Sequence, residues 1–328
     1  MIKKRVFSGS RPTGCLHLGN YLGGVKGYLA LQDREDLDCI YSIVDLHGIT
    51  TPYEPKKMQS KIREVVLDYL GCGLDPKKCH LMTQSQVPEH IELAYLLGTI
   101  YPVSRMEQLP TYKQKKIENP HYINVGLFYY PILMAADILV YKAELVPVGK
   151  DQLPHIEVAR EIARKFNSMF SHVFPEPKAF ETQGTYIPSL LGFGKMSKSI
   201  KGSFILLTDD LKTIEERLAK MPTDSGKGEI LPKEGGAANL LVLVELFMGK
   251  KEREDNEKKY LGEGIRYGEL KEKLAQAIYE ELKPIQEKRK YFENNPELVS
   301  KILEEGRLYC SKIAKQTLME VKKAMGLV

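Results

Sequence analysis

The 328-residue sequence contains no tryptophan, so indole fluorescence from any mixture with this chain must come from something added. No apolar run reaches the roughly 18 residues that a membrane-crossing helix needs. The chain opens on Lys3-Lys4-Arg5 and a short apolar stretch, without the apolar core of a secretory leader, and the cytoplasm is the expected compartment. Cysteines are few, five in all, at 15, 39, 72, 79 and 310. An odd number in a reducing compartment predicts free thiols rather than a disulfide framework. Cys72-x6-Cys79-His80 does not have zinc-site spacing, so no metal site is assigned. Internal repeats and low-complexity tracts are absent.

The remaining composition is that of a globular protein, 43% hydrophobic and 28% charged. A net charge of +5 is compatible with a nucleic-acid partner without demanding one. The length exceeds what one core usually serves and predicts two domains.

Residues 1 to about 150 alternate short apolar runs with helical periodicity. Arg5 to Phe7, Cys39 to Val44, His80 to Thr83 and Glu144 to Val148 read as strands. Lys56 to Leu70 (stopping at Gly71), Glu89 to Ile100 (introduced by Pro88), Val125 to Lys142 and a segment ending near Phe170 read as helices. That alternation predicts an α/β fold with a Rossmann-like, doubly wound parallel sheet. Residues 101–124, with Lys113, Lys115 and Lys116, interrupt the rhythm as an irregular basic insert, readable as a solvated loop or as a flap facing phosphate. From about Thr208 strand signals cease. Asp209 to Met221, Ala238 to Met248, Tyr267 to Glu293 and Pro296 to Met325 are all helical in period. The predicted division is 1–205 for the Rossmann-like domain, with its insert at about 101–142 and a mobile loop at 192–202, and 206–328 for an all-α domain. From Lys250 onward 18 Lys and Arg face 15 Asp and Glu, as expected of solvated helix faces of which a few touch RNA.

Two stretches carry the chemistry. Near the start, the strand ending at Phe7 meets a turn cluster (Ser8, Gly9, Pro12, Gly14), and helical pattern begins at about Gly19. A strand, a small-residue loop and a helix start favour phosphates, because glycine admits close approach and unpaired N–H groups face the anion. The spacing is neither a P-loop nor a G-x-G-x-x-G fingerprint. His17 and Asn20, three apart, would project from one face as donors. Far downstream, Gly194-Lys195-Met196-Ser197-Lys198-Ser199 sets two lysines among serines and a glycine, a cationic loop suited to polyphosphate.

His17-Leu18-Gly19-Asn20 followed in that order by Lys195 to Ser199 resembles the paired signatures of class I aminoacyl-tRNA synthetases. Ile43 to Thr50, Tyr130 to Leu139, Val146 to Gln152 and Pro284 to Glu287 extend the resemblance to the bacterial tryptophanyl-tRNA synthetase family over nearly the whole chain. The closest rival is the tyrosyl family, which shares fold and signatures. It commonly has glutamine where Met134 stands, one helical turn before Asp137. A thioether wall suits a flat aromatic ring, and an acceptor-only carboxylate suits an indole, which has one N–H and no acceptor. Asp137 could instead pair only within the core.

The resemblance implies a two-step reaction: the tryptophan carboxylate attacks the α-phosphorus of ATP, and the aminoacyl group then passes to tRNA(Trp). Arg11, Pro12, Thr13, Gly19 and Asn20 are expected to line ATP, with His17 near its phosphates. Gly149, Lys150 and Asp151 would approach the ribose, and Ile187 the adenine. Lys195 and Lys198, with Met196, Ser197 and Ser199 in the same loop, would hold pyrophosphate as it leaves, with Lys113 and Lys115 as lesser candidates. Tyr130 and Gln152 would hold the ammonium, and His47, Met134 and Asp137 the indole. Mg2+ would ride on ATP. A homodimer, with the anticodon met by the helical domain, is implied too. Arg11 stands where the family often has glutamine, and Asn20 where class I signatures often have a second histidine. A protein that kept the fold to bind nucleotide or RNA without catalysis is the alternative of a different kind, and the two intact lysines argue against it.

Overall fold

The computed structural model describes residues 3–118, 120–149, 152–181 and 186–328. Among them, strands β1 (Lys4–Ser10), β2 (Leu37–Ile43), β3 (Cys79–Thr83), β4 (Leu145–Val148) and β5 (Lys178–Glu181) form one sheet in the order β3-β2-β1-β4-β5. Every pairing is parallel. Parallel strands need crossover connections, so both faces are covered and the strands read as nearly continuous apolar runs. The strand residues alternate between two cores. Val6, Cys39, Tyr41, Ile43 and Leu81 enter one, Phe7, Ile40, Met82 and Val146 the other. Strand order reverses between β1 and β4, and ligands bind outside the carboxyl ends of strands at such a switch point.

Helix limits follow local chemistry. The Pro55–Cys72 helix starts with Pro at its first position and ends at Gly73, whose φ of 113° only glycine adopts comfortably. The expected stop at Gly71 is therefore two residues early. Gly71 instead makes room for a neighbour. A Cβ there would lie 2.9 Å from Arg289 Cβ and 3.0 Å from Ile285 O, at the crossing with the Tyr267–Glu293 helix. Asn124 caps the Val125–Leu139 helix by accepting from Leu127 N at 2.9 Å. The insert is not irregular. It folds into helices Val103–Gln108 and Pro110–Glu118, because Pro102 and Pro110 are placed where helices start, and Lys113 and Lys116 are exposed to solvent. Strand β5 and the helix Lys250–Leu261 are further elements that periodicity does not resolve. Lys178-Ala179-Phe180-Glu181 lacks the apolar run that marks β4, and a helix charged on every side has no apolar face.

The later helices do not stand apart from the sheet. Leu218, Leu240, Leu274 and Ile278 share the first core with Val6 and Tyr41, and Cys310, Ala314 and Leu318 share the second with Phe7 and Met82. The Pro296–Ala324 helix lies so close to β3 that a Cβ on Gly306 would sit 2.0 Å from Leu81 O. Gly306→Ala should cost about 1–3 kcal/mol, read as a lower denaturant midpoint. An unchanged midpoint would contradict this packing.

Candidate active site

A cavity of about 470 Å³ opens at the carboxyl ends of β1 and β4. Ser8, Gly9, Ser10, Arg11 and Thr13 wall it on the β1 side, and Val146, Pro147, Val148, Gly149 and Gln152 on the β4 side. The Val125–Leu139 helix contributes Tyr130, Met134 and Asp137, and His47, Asn20 and Lys115 complete the lining relevant to chemistry. Residues of Gly9 to Asn20, of Tyr130 to Asp137, and Gly149 with Gln152 thus converge as expected. Lys150 and Asp151 lie outside the described residues.

Asp137 is almost wholly buried, and burial alone would push its carboxyl up, but hydrogen bonds from His47 and His90 hold it below its ordinary value. Its Oδ1 accepts from Gln84 Nε2 and His90 Nδ1, each at 2.7 Å, while Oδ2 meets His47 Nε2 at 2.8 Å. Gln84 is oriented by the other end of its amide, where Oε1 accepts from Leu46 N at 3.2 Å. Oδ1 is therefore saturated, and Oδ2 keeps one lone pair for a further donor beside the Met134 thioether. The alternative that Asp137 pairs only within the core is met in part. It is paired, yet it also lines the cavity.

Tyr130 Oη stands 2.8 Å from both Thr111 Oγ1 and His155 Nε2, and Lys115 Nζ lies 5.4 Å from the centre of the Tyr130 ring. Burial lowers the Lys115 ammonium, with the Arg11 charge adding to the effect. Lys113, two residues away, is exposed. Arg11 bonds Thr51 Oγ1 at 2.8 Å, and Pro12 packs on Gly48.

The two signatures touch each other. Leu18 N donates to Ile205 O at 3.0 Å and Leu207 N to Leu16 O at 2.9 Å, so the chain leaving the lysine loop pairs beside His17. Gly19 is needed there, since a Cβ would fall 2.8 Å from the His17 ring. Lys198 Nζ donates to the carbonyls of Thr13 and Gly14 at 3.1 Å and also to Cys15 O. Met196 is turned into the first core and Ile187 is fully buried, joined by Met196 N donating to Ile187 O at 2.9 Å. Neither side chain lines the cavity, and neither do those of Lys195, Ser197 and Ser199, which sit with Lys198 on the loop above it. Below the first signature, Asp68 accepts from Leu16 N at 2.5 Å and from Arg289 Nε at 2.7 Å, tying this loop to the Tyr267–Glu293 helix.

His17 is buried, and its Nδ1 has no partner among the described residues. Burial, then the charges of Lys198 and Lys195, push its imidazole down to about 4. An unfolded histidine takes up a proton near 6.5. Between those values the unfolded chain binds a proton that the folded chain refuses, so stability is lost as pH falls through the window. His17→Asn should therefore show a shallower loss of melting temperature between pH 7 and 5 than the parent. Equal slopes would contradict the neutral, buried imidazole.

Sequence patterns do not single out Gln84, His90, Thr111 or His155. Gln84 immediately follows β3, where the strand-end rule points, and His90 follows the helix-starting Pro88 by two residues. Thr111 and His155 carry no comparable signal.

A sequence model of the family described as tRNA synthetases class I (W and Y) matches residues 3–283. Tryptophan–tRNA ligases of Caldanaerobacter subterraneus and Helicobacter pylori are 41% and 40% identical to this chain, covering 99% and 100% of it and equal shares of their own lengths. Among solved structures, a tryptophanyl-tRNA synthetase from Campylobacter jejuni, complexed with ADP and tryptophan, superposes with a TM-score of 0.86. It is 30% identical and covers 98% of this chain and 100% of its own. A tyrosyl-tRNA synthetase from Archaeoglobus fulgidus shares the fold at 17% identity and a TM-score of 0.67, covering 88% of this chain and 90% of its own.

Proposed function

The chain belongs to the class I tRNA synthetases of the tryptophan and tyrosine family, and we propose that it is a tryptophan–tRNA ligase. It activates L-tryptophan with ATP to tryptophanyl-adenylate and pyrophosphate, then transfers the aminoacyl group to the terminal ribose of tRNA(Trp). The observation that carries the choice of amino acid is Asp137, which lines the cavity together with Met134 and whose Oδ2 meets only His47 while Oδ1 takes two donors, leaving Oδ2 a lone pair. An indole N–H satisfies that acceptor completely. A phenol brings an acceptor oxygen of its own that Asp137 cannot serve, and an unpaired buried polar group costs about 1–3 kcal/mol.

In the first step the amino acid's carboxylate is already a nucleophile, and no general base is required. Tyr130 and Gln152 hold the ammonium, and Thr111 and His155 fix the Tyr130 hydroxyl. ATP, with its magnesium carried on phosphate oxygens, lies over Gly9 to Thr13 and Asn20, with Gly149, Lys150 and Asp151 at the ribose. His17, neutral at physiological pH, offers one donor to phosphate. Arg11 and Lys115 supply charge from the cavity wall. Closure of the 192–202 loop swings Lys195 and Lys198 onto the leaving pyrophosphate, so catalysis is positioning plus electrostatic stabilisation. Ser197 and Ser199 add donors, while Met196 and Ile187 anchor the loop through the core, so Ile187, buried outside the cavity, does not touch the adenine directly.

The division 1–205 and 206–328 then separates activation from anticodon recognition, with basic side chains of the later helices meeting tRNA. Ile91, Tyr95 and Val125, 52%, 70% and 78% exposed on neighbouring helices, support a homodimer. Charging of tRNA places the enzyme in the cytoplasm, and no helix among the described residues is long and apolar enough to cross a membrane. Aminoacylation of a tRNA(Trp) transcript by tryptophan, with none of a tRNA(Tyr) transcript by tyrosine, is the expected result. The reverse pattern would overturn the assignment.

A further inference from the structure

We infer that His90 is a positioning residue for tryptophan recognition, holding the Asp137 carboxylate as a fixed acceptor, and that Tyr141 sets the His90 tautomer; the inference rests on the proposed function. His90 is wholly buried at the start of the Glu89–Gly98 helix and does not line the cavity. Its Nδ1 lies 2.7 Å from Asp137 Oδ1, and its Nε2 lies 2.6 Å from Tyr141 Oη. Tyr141 is also wholly buried and stacks on Phe7 of β1, with ring centres 5.4 Å apart.

The chemistry of the three groups dictates the direction of the chain. A carboxylate only accepts, so Nδ1 must carry the proton. Nε2 is then the acceptor, and Tyr141 supplies the hydroxyl that matches it. Neither group can exchange its partner for water at this depth, and leaving either unpaired is costly. The result is a buried relay, Tyr141 to His90 to Asp137, that ends on Oδ1. With Oδ1 occupied by His90 and Gln84, the carboxylate cannot rotate, and Oδ2 is left to His47 and to a donor from the cavity that Asp137 lines. His90 thus acts on the substrate only through Asp137.

The test compares steady-state ATP–pyrophosphate exchange in the wild type, His90→Leu, His90→Asn and Tyr141→Phe, with KM for tryptophan and for ATP measured separately. Asparagine places its amide N–H where Nδ1–H stood, so it restores the donor to Asp137 without the link to Tyr141. Expected results are a KM for tryptophan raised about 100-fold in His90→Leu and about 10-fold or less in His90→Asn and Tyr141→Phe. KM for ATP and kcat at saturating tryptophan should stay within about threefold in all three. Equal tryptophan KM values for leucine and asparagine, or parallel losses in kcat and in KM for both substrates, would assign His90 a merely structural role and overturn the inference. An unchanged tryptophan KM in His90→Leu would overturn it as well. Absence of tryptophan-dependent exchange in the wild type would instead remove the function on which the inference rests.

Discussion

Lys198→Ala should slow tryptophanyl-adenylate formation by about 10²–10³-fold while the dissociation constant for tryptophan changes less than about twofold. The ammonium is half-buried and held by three main-chain carbonyls of the turn just before the first signature. Burial lowers its proton affinity, a sign of a cation short of solvent. Neutral carbonyls compensate it less than a phosphate would, because a phosphate brings a full opposite charge to a partly desolvated cation. Arrival of a polyphosphate next to Thr13 and Gly14 therefore gives Lys198 a better partner within reach of the same loop. The charge on pyrophosphate is greatest as the α-phosphorus bond breaks, so the loss falls on the rate of the chemical step. The pocket proposed for tryptophan, at Tyr130, Met134 and Asp137, belongs to a cavity that Lys198 does not line. Single-turnover adenylate formation and tryptophan fluorescence titration separate the two effects, the second cleanly because the chain has no tryptophan of its own. Near-normal adenylation would remove Lys198 from the mechanism.

Asp137→Asn should weaken tryptophan binding about 100-fold and relax the preference against tyrosine. The direction follows from donor counting. The position of Oδ1 receives two donors, from Gln84 and His90, so the amide oxygen must occupy it. The amide nitrogen then takes the place of Oδ2, facing His47 and the cavity. His47 can present a bare ring nitrogen to it by changing tautomer. An indole cannot, and its N–H meets another N–H. A phenol oxygen, by contrast, gains a donor. Titration by fluorescence for tryptophan, and by competition for tyrosine, reads both halves. Unchanged tryptophan affinity would leave Asp137 a structural residue.

Much of this arrangement is legible in the residues. The parallel sheet is announced by the apolar run at Cys39 to Val44, and the switch-point rule joins Gly9 to Gly149 across the sheet without any contact information. The Met134–Asp137 pair follows from a single helical turn. The insert at 101–124 reads wrongly as irregular because charge on an exposed helix resembles charge on a loop until the proline positions are weighed. Gly71 looks like a helix stop in sequence, whereas its actual part, admitting the Tyr267–Glu293 helix, depends on a partner more than 200 residues away. Separation along the chain also hides the donors behind Asp137. Gln84 and His90 are 53 and 47 residues from it in sequence, and nothing in their own neighbourhoods states what they hold.

The central claim is that this cavity activates tryptophan and discriminates against tyrosine. Amino-acid-dependent ATP–pyrophosphate exchange, run side by side with the two amino acids, tests it most directly. Exchange with tryptophan at a kcat/KM at least about 10²-fold above that with tyrosine is the predicted result. Exchange driven by tyrosine, or by neither, would contradict it.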